Sequence, residues 1–553
     1  MAEKARSRVV VVTGGATGIG AAIAKACAGR GDFVVTLDPV VELDGSPRTD
    51  AGEETTAGRI LAAGGQARTS NASVTDARAV RDLLEGLVAE FGSVDAIVNV
   101  AGISRPTGFA HGEQEDWRRV LDVHLGGYLT ILREALPLMA AAGHGRILGI
   151  TSGSGWRAAD AGAYSCAKRA VASLTWQLGA SPPPGVTINA LSHIAATRMV
   201  ARALARMETQ RKAGESRDAS GGVSLGAAPP PEHLGPIGAY LASEDLAWCS
   251  GRVFFSNGSE ISVVEPPRRL ESVPTATIPS LAELLDAATP AVLVPAESTQ
   301  TAGGGGVPRL TQSLAAQPSF AAQNGVCMVV TDNDAWRSSL DRALRARGFD
   351  VIEGDPLTED FAGATREVIA LERLPAALVV ALQGAHAERL AGGWQEILAS
   401  HEGIENRLRR DAMWFRAMAD RAARDESATR VISLVPAHSA SGHTRAMSVT
   451  QLTRAARGAT GGRIDAFAVA LSTALPDSFP AAATLTAHLA CSPDAPQLSG
   501  AELFVDRGHL GLHSHPHLAG SISYEGPEVP TWLDPALRSM LTPGGRFDGG
   551  TFR

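Results

Sequence analysis

Two long stretches of this chain alternate short apolar runs with helix-period segments, and that alternation restricts the fold more than any other feature. From Arg8 to about Val264 the runs VVVVT, FVVTLD, VDAIVNVAG, GRILGITS, VTINALS and GRVFFSNG are separated by segments such as AAIAKACAGRG, ARAVRDLLEGLVAEFG and DWRRVLDVHLGGYLTILREALPLMAAAG. Parallel strands need a crossover, usually a helix, so the pattern specifies βαβ units in an α/β, doubly wound parallel sheet of Rossmann type. Residues 265–324 change character: prolines, PAVLVPAESTQ and the GGGG at 303–306 read as a linker, with LAELLDAAT as one helix inside it. From Gly325 the alternation resumes with VCMVVTD, FDVIEGD, PAALVVALQG, TRVISLVPA and GAELFVDRG between helical stretches. The two blocks superpose as an internal repeat: Trp117 to His124 has the spacing of Trp394 to His401, and GRILGITSGSG matches TRVISLVPAHS. The expected organisation is a first α/β domain over 1–264, a linker over 265–324, a second α/β domain over 325–513 and a tail over 514–553.

Composition narrows the function classes. The charge is −8 over 553 residues, without a long basic run, which leaves no electrostatic footprint for nucleic acid or for an anionic membrane. Nothing reaches 18 consecutive apolar residues, and the apolar run behind the basic start stops at Val12, too short for a signal peptide. Cys27, Cys166, Cys249, Cys327 and Cys491 are scattered without a CxxC pair, so no disulfide framework or structural zinc is expected and a reducing cytoplasm is. The histidines 509, 513, 515 and 517 crowd together, but no neighbouring carboxylate or cysteine completes a metal site, and none is expected. In the tail, Trp532-Leu533-Asp534-Pro535 reads as a helix start whose helix docks on a neighbouring surface.

Thr13-Gly14-Gly15-Ala16-Thr17-Gly18-Ile19-Gly20 follows an apolar strand and opens a helix, the context of a dinucleotide-binding turn. Glycine lets the backbone approach a pyrophosphate, whose charge sits on the helix N-terminus. Asp38 ends the next strand, where a carboxylate bonds a ribose 2′-hydroxyl and repels a 2′-phosphate, so NAD is expected over NADP.

Glycines 14, 18 and 20, Asn99-Val100-Ala101-Gly102, Ser152 and Tyr164-x3-Lys168 together resemble the short-chain dehydrogenase/reductase family over residues 8–264. The last three make chemical sense by themselves. Hydride transfer at an alcohol carbon needs a proton acceptor on oxygen, and a free phenol with a pKa of about 10 is too weakly acidic for that. Tyr164 and Lys168 stand at i and i+4 on one helix face, so an ammonium can stabilise the tyrosinate and reach the nicotinamide ribose, while Ser152 holds the substrate oxygen. The chain has only four tyrosines (Tyr128, Tyr164, Tyr240, Tyr524) and four lysines (Lys4, Lys25, Lys168, Lys212), which makes a chance pairing improbable. The resemblance implies cofactor contacts from Gly14, Thr17, Gly18, Ile19, Gly20, Asp38, Val74, Asn99, Ala101, Gly102, Tyr164, Lys168, Ile194 and Thr197.

Within that family the first block looks most like the (3R)-hydroxyacyl-CoA dehydrogenase domains of multifunctional enzyme type 2. The insertion from Pro39 to Thr56, His124 in the place of the fourth tetrad residue, and the segment ending Thr197-Arg198-Met199 carry that likeness. It implies that His124 polarises a carbonyl or a water in a proton relay through Lys168, and that a 3-hydroxyacyl-CoA is the substrate class. A steroid, polyol or other hydrophobic alcohol is the alternative, and a cofactor-sensing scaffold is the reading from outside catalysis. Arg198, Arg202, Arg206, Arg211, Lys212 and Arg217 could receive the phosphates of a CoA thioester. Three departures from the pattern stand out: His193-Ile194 in place of a proline and its successor, Ala72-Ser73 in place of an aspartate, and a Ser152-to-Tyr164 loop shorter by one residue.

The second block carries the pattern without the chemistry. Asp332, Trp336 and Ser338 stand where Gly14, Gly18 and Gly20 stand in the first, Pro436 replaces Ser152, and the Tyr and Lys positions fall near Met447 or Ser448 and Gln451 or Leu452. No Tyr or Lys occurs from 325 to 513. The expectation is a degenerate copy that pairs within the chain on the long helices of the first block, 113–142 and 164–180, in a chain that itself forms a homodimer.

Overall fold

The computed structural model describes residues 6–48, 55–198, 201, 228–275, 281–303, 325–383, 393–472 and 478–542. The first block supplies β1 (Val9–Thr13), α1 (Gly18–Gly29), β2 (Phe33–Leu37), α2 (Thr56–Ala62), β3 (Gln66–Ser70), α3 (Ala77–Phe91), β4 (Ala96–Asn99), α4 (Gln114–Leu121), α5 (Gly127–Ala142), β5 (Gly145–Ile150), α6 (Ala163–Ala180), β6 (Val186–His193), α7 (Gly235–Leu241), β7 (Val253–Ser256) and β8 (Glu260–Glu265). Next come β9 (Arg269–Pro274), α8 (Leu281–Ala288) and α9 (Val294–Gly303). The second block supplies β10 (Val326–Thr331), α10 (Asp334–Ala346), β11 (Asp350–Glu353), α11 (Phe361–Ala370), β12 (Ala377–Ala381), α12 (Trp394–Ser400), α13 (Ile404–Arg424), β13 (Thr429–Pro436), α14 (Ala440–Thr453), α15 (Ala456–Ala459), β14 (Ile464–Leu471), α16 (Phe479–Cys491), β15 (Glu502–Asp506) and β16 (His509–His513). The chain ends in β17 (His517–Ser523) and α17 (Leu533–Leu541).

Two sheets result, ordered β17-β8-β7-β6-β5-β4-β1-β2-β3 and β11-β10-β12-β13-β14-β15-β16-β9. Strands β1 to β7 pair in parallel, and the order turns back between β1 and β4, the switch point where ligands of such sheets bind. Burial on both faces explains the continuous apolar runs: Val9 to Val12 are all 0% exposed. The second sheet repeats the parallel order around β10 and β12, but its chain passes from β11 through α11 straight to β12, so the counterpart of β3 is missing.

The linker and the tail do more than connect and dock. Strand β9, inside the expected linker, pairs antiparallel with β16 and closes the second sheet. Strand β17, inside the expected tail, pairs antiparallel with β8 and closes the first. The chain therefore crosses from sheet to sheet twice. The crossings lie side by side, with the Arg268 amide donating to Ser514 Oγ (3.1 Å) and the Ser514 amide donating to the Arg268 carbonyl (2.7 Å). Helix α17 returns Leu533, Ala536 and Leu537 to the first block's core, where Asp534 accepts from the Tyr240 hydroxyl (3.1 Å) and from Trp248 Nε1 (2.9 Å).

Between the blocks, α6 packs on α14, and α4 and α5 meet α12 and α13. The Ser173 and Thr444 hydroxyls bond at 2.9 Å, Cys166 Sγ donates to the Ser448 carbonyl (3.4 Å), and Phe109 meets Phe415 edge to face at 5.7 Å. Among the described residues, no helix is long and apolar enough to cross a membrane.

Candidate active site

The glycine turn is shaped by backbone contacts that admit no side chain. A Cβ on Gly14 would stand 2.9 Å from the Ala101 backbone, and one on Gly20 would stand 2.2 Å from the Gly14 carbonyl oxygen. Gly18, at a φ of +59°, differs: a Cβ there would meet nothing within 4 Å, so open space adjoins the N-terminus of α1. That cradle and the positive end of the helix fit a pyrophosphate. Thr13, the first residue of the turn, ties β1 to β4: its hydroxyl donates to Asn99 Oδ1 (2.9 Å) and accepts from the Val100 and Ala101 amides (3.0 Å each). Asp38 lies at the turn, accepting from the Ala16 amide (3.0 Å) and the Val40 amide (2.8 Å). Ile19 is buried at the start of α1, Val74 is buried against the Gly127 backbone, and the Ile194 amide donates to the Ser256 carbonyl (3.3 Å) beside Thr197.

The Arg198 guanidinium donates to Thr17 Oγ1 (3.0 Å), at the glycine turn. Arg202, Arg206, Arg211, Lys212 and Arg217 lie outside the described residues.

At the end of β5, Ser152 opens a short turn, and α6 brings Tyr164 and Lys168 to it. Lys168 Nζ donates to the Ile150 carbonyl (2.7 Å) and stands 5.6 Å from the Tyr164 ring centre. Burial brings the ammonium down to about 7, and it raises the Tyr164 phenol above its ordinary value against an opposing hydrogen bond with Ser152. Lys168 thus stands beside the phenol without reversing that rise.

His124 sits in a π-helical turn, Asp122–Gly126, between α4 and α5. Its Nε2 faces the Ile103 backbone (amide 3.1 Å, carbonyl 2.8 Å), and its ring meets Tyr164 edge to face at 5.0 Å. A Cβ on Gly102 would come within 2.4 Å of that ring, which explains the glycine there. Burial, with the Lys168 charge adding to it, lowers His124 to about 3, so the imidazole is neutral wherever the protein is folded near neutrality. His193 behaves likewise, lowered to about 4 by burial and then by Lys168.

The comparisons follow this geometry. A family model described as short chain dehydrogenase matches residues 8–208. Short-chain reductase protein NovJ of Streptomyces niveus is 32% identical over 252 residues, covering 45% of this chain and 92% of that protein. The chain belongs to the short-chain dehydrogenase family. Cis-4-hydroxycyclohexanecarboxylate dehydrogenase of Sinomonas cyclohexanicum is 33% identical over 267 residues, 48% of this chain and 100% of that protein. The peroxisomal hydratase-dehydrogenase-epimerase of Saccharomyces cerevisiae is 33% identical over 201 residues, 36% of this chain and 22% of that protein. A solved short chain dehydrogenase from Mycobacterium avium is 31% identical, covers 50% of this chain and 92% of its own, and has a TM-score of 0.41. The short-chain dehydrogenase family couples alcohol and ketone interconversion to NAD(P), and this chain is an oxidoreductase of that general kind.

The second block differs at the positions that match the glycine turn in sequence. Trp336 is 4% exposed and packed edge to face on Phe479 at 5.6 Å, and Asn333 caps α10 by accepting from the Trp336 amide (2.9 Å). The strand end that carries Ser152 in the first block carries Pro436 and Ala437, and α14 contains neither Tyr nor Lys.

Lys168 also bears on stability. Its folded value of about 7 lies below the ordinary value of about 10.4, so between those limits the unfolded chain binds more protons and stability rises with pH. The penalty is whole below pH 7. That difference is worth about 4 kcal/mol at pH 7, and the Ile150 carbonyl left unpaired takes back about 2, so Lys168→Met is expected to raise stability by about 2 kcal/mol at pH 7 and to flatten that rise, read from urea midpoints between pH 6 and 10.

Proposed function

We propose that residues 8–264 interconvert a secondary alcohol and its ketone with NAD, with Tyr164 exchanging the substrate oxygen's proton. The observation that carries this reading is the convergence of the Ser152 hydroxyl, the Tyr164 phenol and the Lys168 ammonium at the end of β5, next to the glycine cradle. When bound, NAD supplies a hydride acceptor, and NADH the donor. The residues to hold it are Gly14, Thr17, Gly18, Ile19, Gly20, Asp38, Asn99, Ala101, Gly102, Ile194 and Thr197, with the backbone at Val74. Ser152 and Tyr164 orient the substrate oxygen, and the Lys168 charge favours the tyrosinate. His124, held neutral, braces Tyr164 and polarises the Ile103 peptide.

Asp38 favours NAD: its carboxylate is fixed at the turn by two amides, where a 2′-phosphate would meet its charge. A 3-hydroxyacyl thioester is the preferred substrate, supported by the match to the yeast hydratase-dehydrogenase-epimerase and by two 3-oxoacyl-[acyl-carrier-protein] reductases, 35% and 28% identical. The full-length coverage of the hydroxycyclohexanecarboxylate dehydrogenase favours a cyclic alcohol as the second reading. The second block serves as the built-in partner for α4, α5 and α6, and the Ser173–Thr444 and Cys166–Ser448 contacts support that role.

The test is turnover of acetoacetyl-CoA against cyclohexanone derivatives, each with NADH and with NADPH. The reading expects the thioester to win and NADH to be favoured about tenfold or more in kcat/KM, a difference of about 1.4 kcal/mol. Equal rates with NADPH contradict the assignment of Asp38.

A further inference from the structure

We infer that the second block completes the first block's site, with Gln451 on α14 and Arg454 at that helix's C-terminal cap acting as positioning residues for the turn that carries Ser152. Gln451 Nε2 donates to the Ser154 carbonyl (3.0 Å) and to the Arg157 carbonyl (2.6 Å), and Arg454 Nη1 donates to the Trp156 carbonyl (2.8 Å). Three carbonyls of a four-residue stretch are thus held by side chains 297, 294 and 298 positions away in sequence. Gln451 is 1% exposed, so it is committed to this contact rather than to solvent.

The turn's own bonds leave these three carbonyls open. Gly153 and Gly155 make it conformationally permissive; within the first block the Gly155 amide donates to the Ser152 carbonyl (2.9 Å), the Trp156 and Arg157 amides donate to the Gly153 carbonyl (3.2 and 2.8 Å), and Trp156 Nε1 donates to Ser192 Oγ (3.0 Å). On its other side the turn lies against α6: a Cβ on Gly155 would come within 2.7 Å of the Lys168 carbonyl carbon and 2.9 Å of the Arg169 amide nitrogen. The turn is a wedge between the backbone that carries Lys168 and the helix that carries Gln451. Pressure from α14 therefore sets both the Ser152 hydroxyl and its distance from the Tyr164–Lys168 face. A misplacement of about 1 Å in such a group costs about a hundredfold in rate. The degenerate block is retained, on this account, because its surface is part of the site. The inference rests on the roles given above to Ser152 and Tyr164.

Gln451→Met in the full chain keeps the length of the side chain and removes both donors. Expected is a fall of about tenfold or more in kcat, with KM and the NADH Kd within about twofold of the wild type. Thr444→Val removes hydroxyl contacts to Ser173, Gln177 and His401, away from the turn, and is expected to leave kcat unchanged. Arg454→Lys, which keeps a donor, is expected to retain activity that Arg454→Met loses. Wild-type kcat in Gln451→Met, or an equal loss in Thr444→Val, overturns the inference. A wild-type chain that turns over no alcohol or ketone overturns the functional reading instead. Amide hydrogen exchange then judges the contact by itself: faster exchange confined to 153–157 in Gln451→Met supports it, and unchanged exchange overturns it.

Discussion

Tyr164→Phe is expected to lower kcat by about 10²–10⁴-fold, the usual contribution of a positioned acid–base group, while NADH binding stays at the wild-type level. The phenylalanine ring keeps the edge-to-face contact with His124 at 5.0 Å, so the substitution deletes the hydroxyl and little else. No neighbour stands ready to replace it. His124 is neutral with its Nε2 occupied by the Ile103 backbone, and Lys168 Nζ is bonded to the Ile150 carbonyl. Stopped-flow hydride transfer and an NADH fluorescence titration on the same preparation check both halves of the expectation. Turnover at the wild-type rate would remove Tyr164 from the chemistry. Full binding with no turnover in either protein would favour the sensing scaffold.

The second large effect is on stability. Arg169 follows Lys168 on α6, its side chain is 0% exposed, and it pairs with Glu502 on β15 at 2.6 Å. Glu502 in turn faces His515 Nδ1 at 3.5 Å, and His515 Nε2 meets Glu297 on α9 at 2.9 Å. Burial acts to raise the Glu502 carboxyl, but Arg169, His515 and Arg454 outweigh it and hold the group at about 2. Glu502→Gln leaves a buried guanidinium charge without its counterion and is expected to cost about 3–5 kcal/mol. Because the folded value lies below the ordinary value of about 4.3, the wild-type contribution is present above pH 4.3 and is lost as pH falls from there toward 2. Urea midpoints from pH 2 to 7 should show that acid limb in the wild type and not in the variant. A loss under about 1 kcal/mol would mean that the pair does not hold the two blocks together.

What could be read in advance follows from where each element is buried. Strands β1, β4, β5 and β6 are covered on both faces and advertise themselves as apolar runs, and the glycine turn and the Tyr164–Lys168 pair are local patterns that need no knowledge of distant packing. Strand β3 was hidden because Gln66–Ser70 lies at a sheet edge with no residue fully buried. Strands β9 and β17 were hidden because their partners, β16 and β8, lie hundreds of residues away. The surroundings of the histidine cluster were hidden in the same way: Leu510 and Leu512 are 0% exposed between His509 and His513, as a strand requires, while His513 stacks on Phe504 at 4.4 Å and His515 meets carboxylates from α9 and β15 that no local spacing announces. Arg198 could be placed on the right segment but not against Thr17, since that contact joins two loops. Gln451 was legible as an absence of Lys and not as a donor to the Ser152 turn.

The central claim is one working dinucleotide site in the first block and a second copy in which Trp336, at the position that matches Gly18 in sequence, packs on Phe479. A fluorescence titration of the full-length chain with NADH, read for sites per chain, tests it most directly. The account predicts one site per chain; two sites, or none, would contradict it.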